Sequence, residues 1–326
     1  MKYIMALDGG GSKLLCLVSD EYGNLCGYST SGPTNSHFNS EQEIEQSISQ
    51  AIEQALLRNN IQRVDITAVY WAMPVIHQFV HDTIIKWTHP HVAVHNCEEY
   101  HLSLYAAIQE EYGAICVAGT GSFTMTHTKK FGARYVGGWG SIFGDEGSGY
   151  SIGCKAFAAC TYMSDQIGPF TSLLEKILTE FQFDNLRNLL FYIHGLQKGD
   201  QRKRIASICR IVGLSAAEGD IVAINILKDA AIMLANQTIQ TLRLDQSELY
   251  QGFPLTISGG VWKAHPLLYQ TFAKMVKQQQ PQIEVFQPLF EPVVGGILIG
   301  LRERNFPIKH NIGKFKQIYA DYLIDK

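Results

Sequence analysis

Tyr3-Ile4-Met5-Ala6-Leu7-Asp8-Gly9-Gly10-Gly11-Ser12-Lys13 joins an apolar run to a glycine loop, and the type of element after that loop decides the fold. Leu14-Leu15-Cys16-Leu17-Val18 reads as a second strand, Asp20-Glu21-Tyr22-Gly23-Asn24 as a turn, and Leu25 to Ser29 as a third strand. The glycines therefore sit in a β-hairpin. A Walker loop or a dinucleotide fingerprint needs a helix directly after its glycines, so that phosphate rests on the helix N-terminus, and no helical period begins here.

The arrangement returns later in the chain. Ala114-Ile115-Cys116-Val117-Ala118 leads into Gly119-Thr120-Gly121-Ser122; Phe123 to His127 reads as a strand, Lys129 to Gly132 as a turn and Arg134 to Val136 as a third strand. Ser12 aligns with Ser122. One glycine hairpin is an ordinary turn in any β-rich protein, but two in register argue for an internally duplicated fold with the hairpins facing each other across a cleft. Exposed N–H groups on such turns bind phosphate oxygens as a helix N-terminus does.

The length of 326 residues suits two domains, and 46% hydrophobic with 17% charged residues describes a folded protein. A net charge of −3 without a basic run offers no footprint for nucleic acid. No long apolar stretch suggests a membrane span, and Asp8 interrupts the N-terminal apolar segment before it can act as a signal sequence, so a cytoplasmic protein is expected. The seven scattered cysteines form no C-x-x-C pair, which predicts reduced thiols and no zinc site.

Asn39-Ser40 can cap a helix whose apolar positions are Ile44, Ile48, Ala51, Ile52, Ala55 and Leu56. Strands at Val64 to Met73 and Val92 to His95 and a helix at Leu102 to Glu110 complete a β-β-β-α-β-α-β-α unit. The second half turns helical over Gly149 to Met163, Phe170 to Phe181, Asn185 to Gly195, Arg202 to Val212 and Ala216 to Leu242. It then alternates between a strand at Leu255 to Ser258, a helix at Pro266 to Gln278, a strand at Ile283 to Phe286 and a helix at Val294 to Arg302. A final helix, His310 to Leu323, is expected to pack back on the first domain, and a hinge near Ala118 to divide the halves.

Further glycine-rich segments stand where ligands meet backbone in α/β folds, near Thr34-Asn35, Gly137-Gly138-Trp139-Gly140, Gly144-Asp145-Glu146-Gly147-Ser148, Ser258-Gly259-Gly260-Val261-Trp262 and Gly295-Gly296. Together with the two hairpins, this series resembles the N-acetylglucosamine kinase and BadF-type ATPase family over nearly the whole chain. The most specific part is the segment from Gly138 through Ser148. That family belongs to the actin, hexokinase and Hsp70 superfamily. The resemblance implies an α/β protein of two ribonuclease-H-like, actin-like ATPase domains, with mixed sheets flanked by helices and an ATP cleft between them. The expected domains are 1–117 and 118–307, the latter with a helical insertion, and 308–326 returning to the first.

The resemblance also implies roles, with ATP and Mg2+ as the cofactors of phosphoryl transfer. Gly10, Gly11, Ser12 and Lys13 would hold phosphates from one domain and Thr120, Gly121 and Ser122 from the other; Asp8 would organise magnesium through water. Gly259, Gly260, Gly295 and Gly296 would let the adenosine lie against backbone, while Asn35, Trp139 and Asp145 would face the sugar. A helix N-cap is the other reading of Asp145. The family's catalytic aspartate is missing: His95-Asn96-Cys97-Glu98-Glu99-Tyr100 stands in its place, which selects Glu99 as base with Glu98 beside it, or else leaves both as helix-capping acids. The leading expectation is a homodimeric kinase acting on N-acetylglucosamine or glucosamine. The alternatives are an iron–sulfur activator ATPase, for which paired cysteines near the loops are lacking, and a non-catalytic sugar or nucleotide sensor.

Overall fold

The computed structural model describes residues 1–11, 13–36 and 39–324, so Ser12 lies outside the described residues. The opening run forms β1 (Tyr3–Gly9), which turns antiparallel into β2 (Leu14–Asp20) and β3 (Leu25–Ser31). Ser40 starts α1 (Glu41–Leu57) with a capping box: its hydroxyl accepts from the Glu43 N–H, and the Glu43 carboxylate accepts from the Ser40 N–H. Next come β4 (Ile66–Ala72), α2 (His77–Trp87), β5 (Ala93–Asn96) and α3 (Glu99–Ile108), with β4 and β5 joining parallel to give the order β3-β2-β1-β4-β5.

Alternation along β1 builds two cores on this sheet. Met5 and Leu7 pack with the buried stripe of α1, whereas Ile4 and Ala6 pack with Leu102 and Ala106 of α3 on the other face. The second half repeats the plan with β6 (Gly113–Ala118), β7 (Ser122–Thr128) and β8 (Gly132–Gly137). A helical stretch intervenes: α4 (Gly149–Ser164), α5 (Leu173–Phe181), α6 (Leu186–Gly195), α7 (Lys198–Ala217) and α8 (Ile221–Leu244). After it come β9 (Phe253–Ser258), α9 (Pro266–Gln279) and β10 (Ile283–Phe286). The sheet order β10-β9-β6-β7-β8 is that of the first sheet, with β6, β9 and β10 in the places of β1, β4 and β5. The duplication seen in the hairpins extends to whole sheets.

The largest differences from the sequence reading fall at two places. The helix expected over Ala216 to Leu242 breaks at Gly219, whose φ is +89°, and Asp220 then caps α8 by accepting from the Val222 and Ala223 N–H groups. The single final helix is instead one short helix, α11 (Ile312–Ile318), between two 3-10 turns.

The chain clusters into two compact units, Met1–Glu111 with Gln287–Lys326, and Tyr112–Phe286. Chain order groups α10 (Pro292–Glu303) with the second half. Its Val293, Val294, Ile297, Leu298 and Leu301 instead share one core with Ile4, Ala6 and Tyr70, because its apolar face complements β1 and β4 of the first unit. None of the described helices is long and apolar enough to cross a membrane.

Gly295 and Gly296, read from sequence as adenosine contacts, are buried in the middle of α10. A Cβ on Gly295 would stand 1.9 Å from the Leu102 carbonyl oxygen and 3.0 Å from the Ala106 nitrogen, so this glycine lets α10 press onto the backbone of α3. A Cβ on Gly296 would stand 2.8 Å from Ala6 Cβ. The pair serves helix packing. Gly295→Ala is expected to lower stability by about 1–3 kcal/mol through overpacking, read as a lower urea midpoint.

Candidate functional site

In the first unit the predicted residues gather at the carboxyl ends of the parallel strands, where α/β folds bind ligands. Asp8 lies at the end of β1, and the hairpin turn after it closes with the Gly10 N–H donating to the Lys13 carbonyl at 3.1 Å. Open space surrounds Gly10 and Gly11, within reach of a ligand. The Thr34 N–H donates to the Gly10 carbonyl at 2.9 Å, which lays the Thr34-Asn35 segment along the glycine turn, and Ser36 bonds to the Pro74 carbonyl beyond β4. At the end of β5 the Cys97 N–H donates to the Trp71 carbonyl at 2.7 Å, delivering Glu98 and Glu99 to the start of α3.

Electrostatics separates the two glutamates. Asp8 is pushed up to about 7, first by desolvation and then by repulsion from Glu99 and Glu291, with Lys13 pulling the other way. Protein atoms crowded around its carboxylate also raise Glu99, although the residue is exposed at the surface. The charge of Glu98 is felt by Cys97 and Tyr100 instead. Glu98 occupies the N-cap position of α3 yet makes no side-chain capping bond. Glu99 is therefore the acid coupled to Asp8. The Asp8 carboxylate makes no hydrogen bond among the described residues, an unusual state for a half-buried acid. Sequence reading missed Glu291, which precedes α10 and comes near Asp8 only through tertiary packing.

The second unit builds its turn differently. The Gly119 N–H donates to the Gly121 carbonyl at 2.9 Å, and the start of α4 holds the loop from outside, through Gly149 N–H to Gly119 carbonyl at 2.8 Å. The Thr120 and Gly121 N–H groups have no partner among the described residues. Ser122, expected to touch phosphate, is buried, and its hydroxyl donates to the Glu146 carbonyl at 2.9 Å, so its side chain braces the neighbouring loop. Trp139 is 78% exposed, whereas Asp145 is buried and bound to Arg202 of α7 at 2.6 Å. The N-cap of α4 is Ser148, which removes the capping reading of Asp145.

Of the glycine pair after β9, Gly259 adopts φ +103°, and a Cβ there would meet the Ala118 carbonyl oxygen at 2.3 Å, while Gly260 faces open space. Five of the seven cysteines are buried and two half-buried, and none pairs. No group of three or more histidine, cysteine or acidic side chains among the described residues is placed to hold a metal.

Duplicated five-stranded mixed sheets with glycine hairpins at their strand ends define an actin-like ATPase fold. The chain belongs to the BadF/BadG/BcrA/BcrD ATPase family, whose model matches residues 6–300. It is 27% identical over 93% of its length to an N-acetylmuramic acid/N-acetylglucosamine kinase of Clostridium acetobutylicum, spanning 99% of that protein. An N-acetyl-D-glucosamine kinase of Dictyostelium discoideum is 29% identical over 59% of this chain and 60% of its own. Among solved structures, a candidate N-acetylglucosamine kinase from Chromobacterium violaceum superimposes with a TM-score of 0.72 at 20% identity, covering 92% of this chain and 99% of that one.

A raised Asp8 pKa has a definite sign for stability. Below the unfolded value of 3.8 both states are protonated and the site costs nothing; between 3.8 and about 7 the unfolded state releases the proton while the folded state keeps it, so stability falls across that range. Asp8→Asn should therefore nearly match wild type at pH 4 and exceed it by up to about 4 kcal/mol above pH 7, measured by urea unfolding across that range.

Proposed function

We propose that this protein is an ATP-dependent kinase that transfers the γ-phosphoryl group to a hydroxyl of an amino sugar, N-acetylglucosamine or glucosamine. Similarity to an amino-sugar kinase along that enzyme's full length supports the reaction class. The observation that carries the site assignment is the coupling of Glu99 to Asp8 at the strand ends of the first unit.

The glycine loop of each unit binds nucleotide phosphate oxygens: Gly10, Gly11 and Lys13 in the first, the Thr120 and Gly121 N–H groups in the second. Gly260 admits the adenosine to backbone. Asn35, Trp139 and Asp145 contact the sugar. Glu99 takes the acceptor hydroxyl proton as the sugar oxygen bonds to the γ-phosphorus and the bond to the ADP oxygen breaks. A pKa raised above the ordinary glutamate value makes Glu99 a stronger proton acceptor than a free glutamate.

Mg2+ fits the donor set at Asp8: a carboxylate without a hydrogen bond among the described residues, crowded by two further acids, favours a cation. Asp8 would hold it through water, and when bound it would neutralise phosphate charge. The seven unpaired thiols suit a reducing cytoplasm. Buried and half-buried cysteines supply no presented thiolates for a cluster shared between subunits.

A coupled ADP-release assay with a hexosamine panel should show turnover stimulated by N-acetylglucosamine or glucosamine; no stimulation by any hexosamine would refute the reaction. Glu99→Gln is expected to lower kcat by about 100-fold or more, with Glu98→Gln near wild type, so equal losses would reject Glu99 as the base.

A further inference from the structure

Asp145 lies in a backbone conformation that side-chain-bearing residues rarely adopt, with φ +63°, and its side chain is only 3% exposed. Such a residue persists when its surroundings fix it, and here α7 supplies the fixing contact. Nη2 of Arg202 sits 2.6 Å from Oδ2 of Asp145. A Cβ on Gly121 would come within 2.8 Å of both atoms, so the ion pair is pressed against the backbone of the second glycine loop. Two polar atoms in this cluster remain unused among the described residues. Oδ1 of Asp145 accepts no hydrogen bond there, and Nε of Arg202 is buried without a partner.

We propose that Arg202 is a positioning residue for sugar recognition, a role that rests on the kinase reading given above. Its guanidinium occupies Oδ2, holds Asp145 in its left-handed conformation, and leaves Oδ1 as the acceptor for one sugar hydroxyl. A planar fork meets a carboxylate at fixed angles, which a lysine ammonium does not reproduce. The buried Nε is a second donor, available to an oxygen brought in by the ligand. No sequence motif marks Arg202; it comes from a helix that chain order places well after the loop it serves.

Steady-state kinetics with separate variation of sugar and ATP tests the assignment, with Arg210→Met as control, since Arg210 lies on the same helix in an exposed pair with Glu180. Arg202→Met should raise the sugar KM by about 10- to 100-fold while leaving the ATP KM as in the control. Arg202→Lys should fall between the two. A sugar KM equal to that of Arg210→Met, or an ATP KM rising in step with the sugar KM, overturns the proposal. Should Arg202→Met lose its fold by circular dichroism, Arg202→Lys decides, and an unchanged sugar KM there is contrary. If wild type phosphorylates no hexosamine, the kinase reading fails alone; calorimetric N-acetylglucosamine binding then judges Arg202, with weaker binding by Arg202→Met expected and equal binding contradicting it.

Discussion

Asp8 stands at the end of a central strand, its carboxylate without a hydrogen bond among the described residues and two other acids near enough to resist its ionisation. Folding gains nothing from this. A paired or solvated acid would make a more stable protein, and the repulsion lowers stability as the pH approaches 7. The arrangement is intelligible as a site whose charge is completed by something the chain does not contain. The geometry around it answers that demand: the glycine turn that follows leaves open space at Gly10 and Gly11, and Thr34 and Cys97 are hydrogen-bonded so that Asn35 and Glu99 arrive at the same strand ends.

The two sheets share one strand order, yet the chain has used the copies differently. In the first unit the hairpin leads to acids, and its sheet is sandwiched between α1 on one face and α3 with α10 on the other. In the second the matching turn carries no acid in the place of Asp8; Ala118 stands there, and the buried acid Asp145 comes from a later loop held by α7. Ser122, the counterpart of Ser12, commits its hydroxyl to tying that loop down. Duplication supplied the scaffold, and divergence divided the chemistry.

The hairpins, their repetition and most strands and helices were legible because each rests on local signals: alternation, helical period, a capping box at Ser40, turn glycines. Gly219 and Asp220 carried a break between α7 and α8 in plain residue types, which the long apolar period on either side masked. The failures were long-range. Gly295 and Gly296 resemble a ligand-contacting pair in sequence, and only the 1.9 Å approach of a would-be Cβ to Leu102 shows that they serve helix packing. Glu98 and Glu99 are indistinguishable by type, and the difference between them is which neighbours each charge acts on: Asp8 for Glu99, Cys97 and Tyr100 for Glu98. Glu291 and Arg202 had no signal at all, since Glu291 comes near Asp8, and Arg202 reaches Asp145, only by packing from segments distant in sequence within their own units.

Binding of an unreactive ATP analogue with and without Mg2+, in wild type and in Asp8→Asn, addresses the unpaired carboxylate most directly. The account predicts that Mg2+ tightens nucleotide binding to wild type by about tenfold or more, and that Asp8→Asn loses most of this enhancement while binding metal-free nucleotide at least as well. An equal Mg2+ enhancement in the two proteins would contradict it.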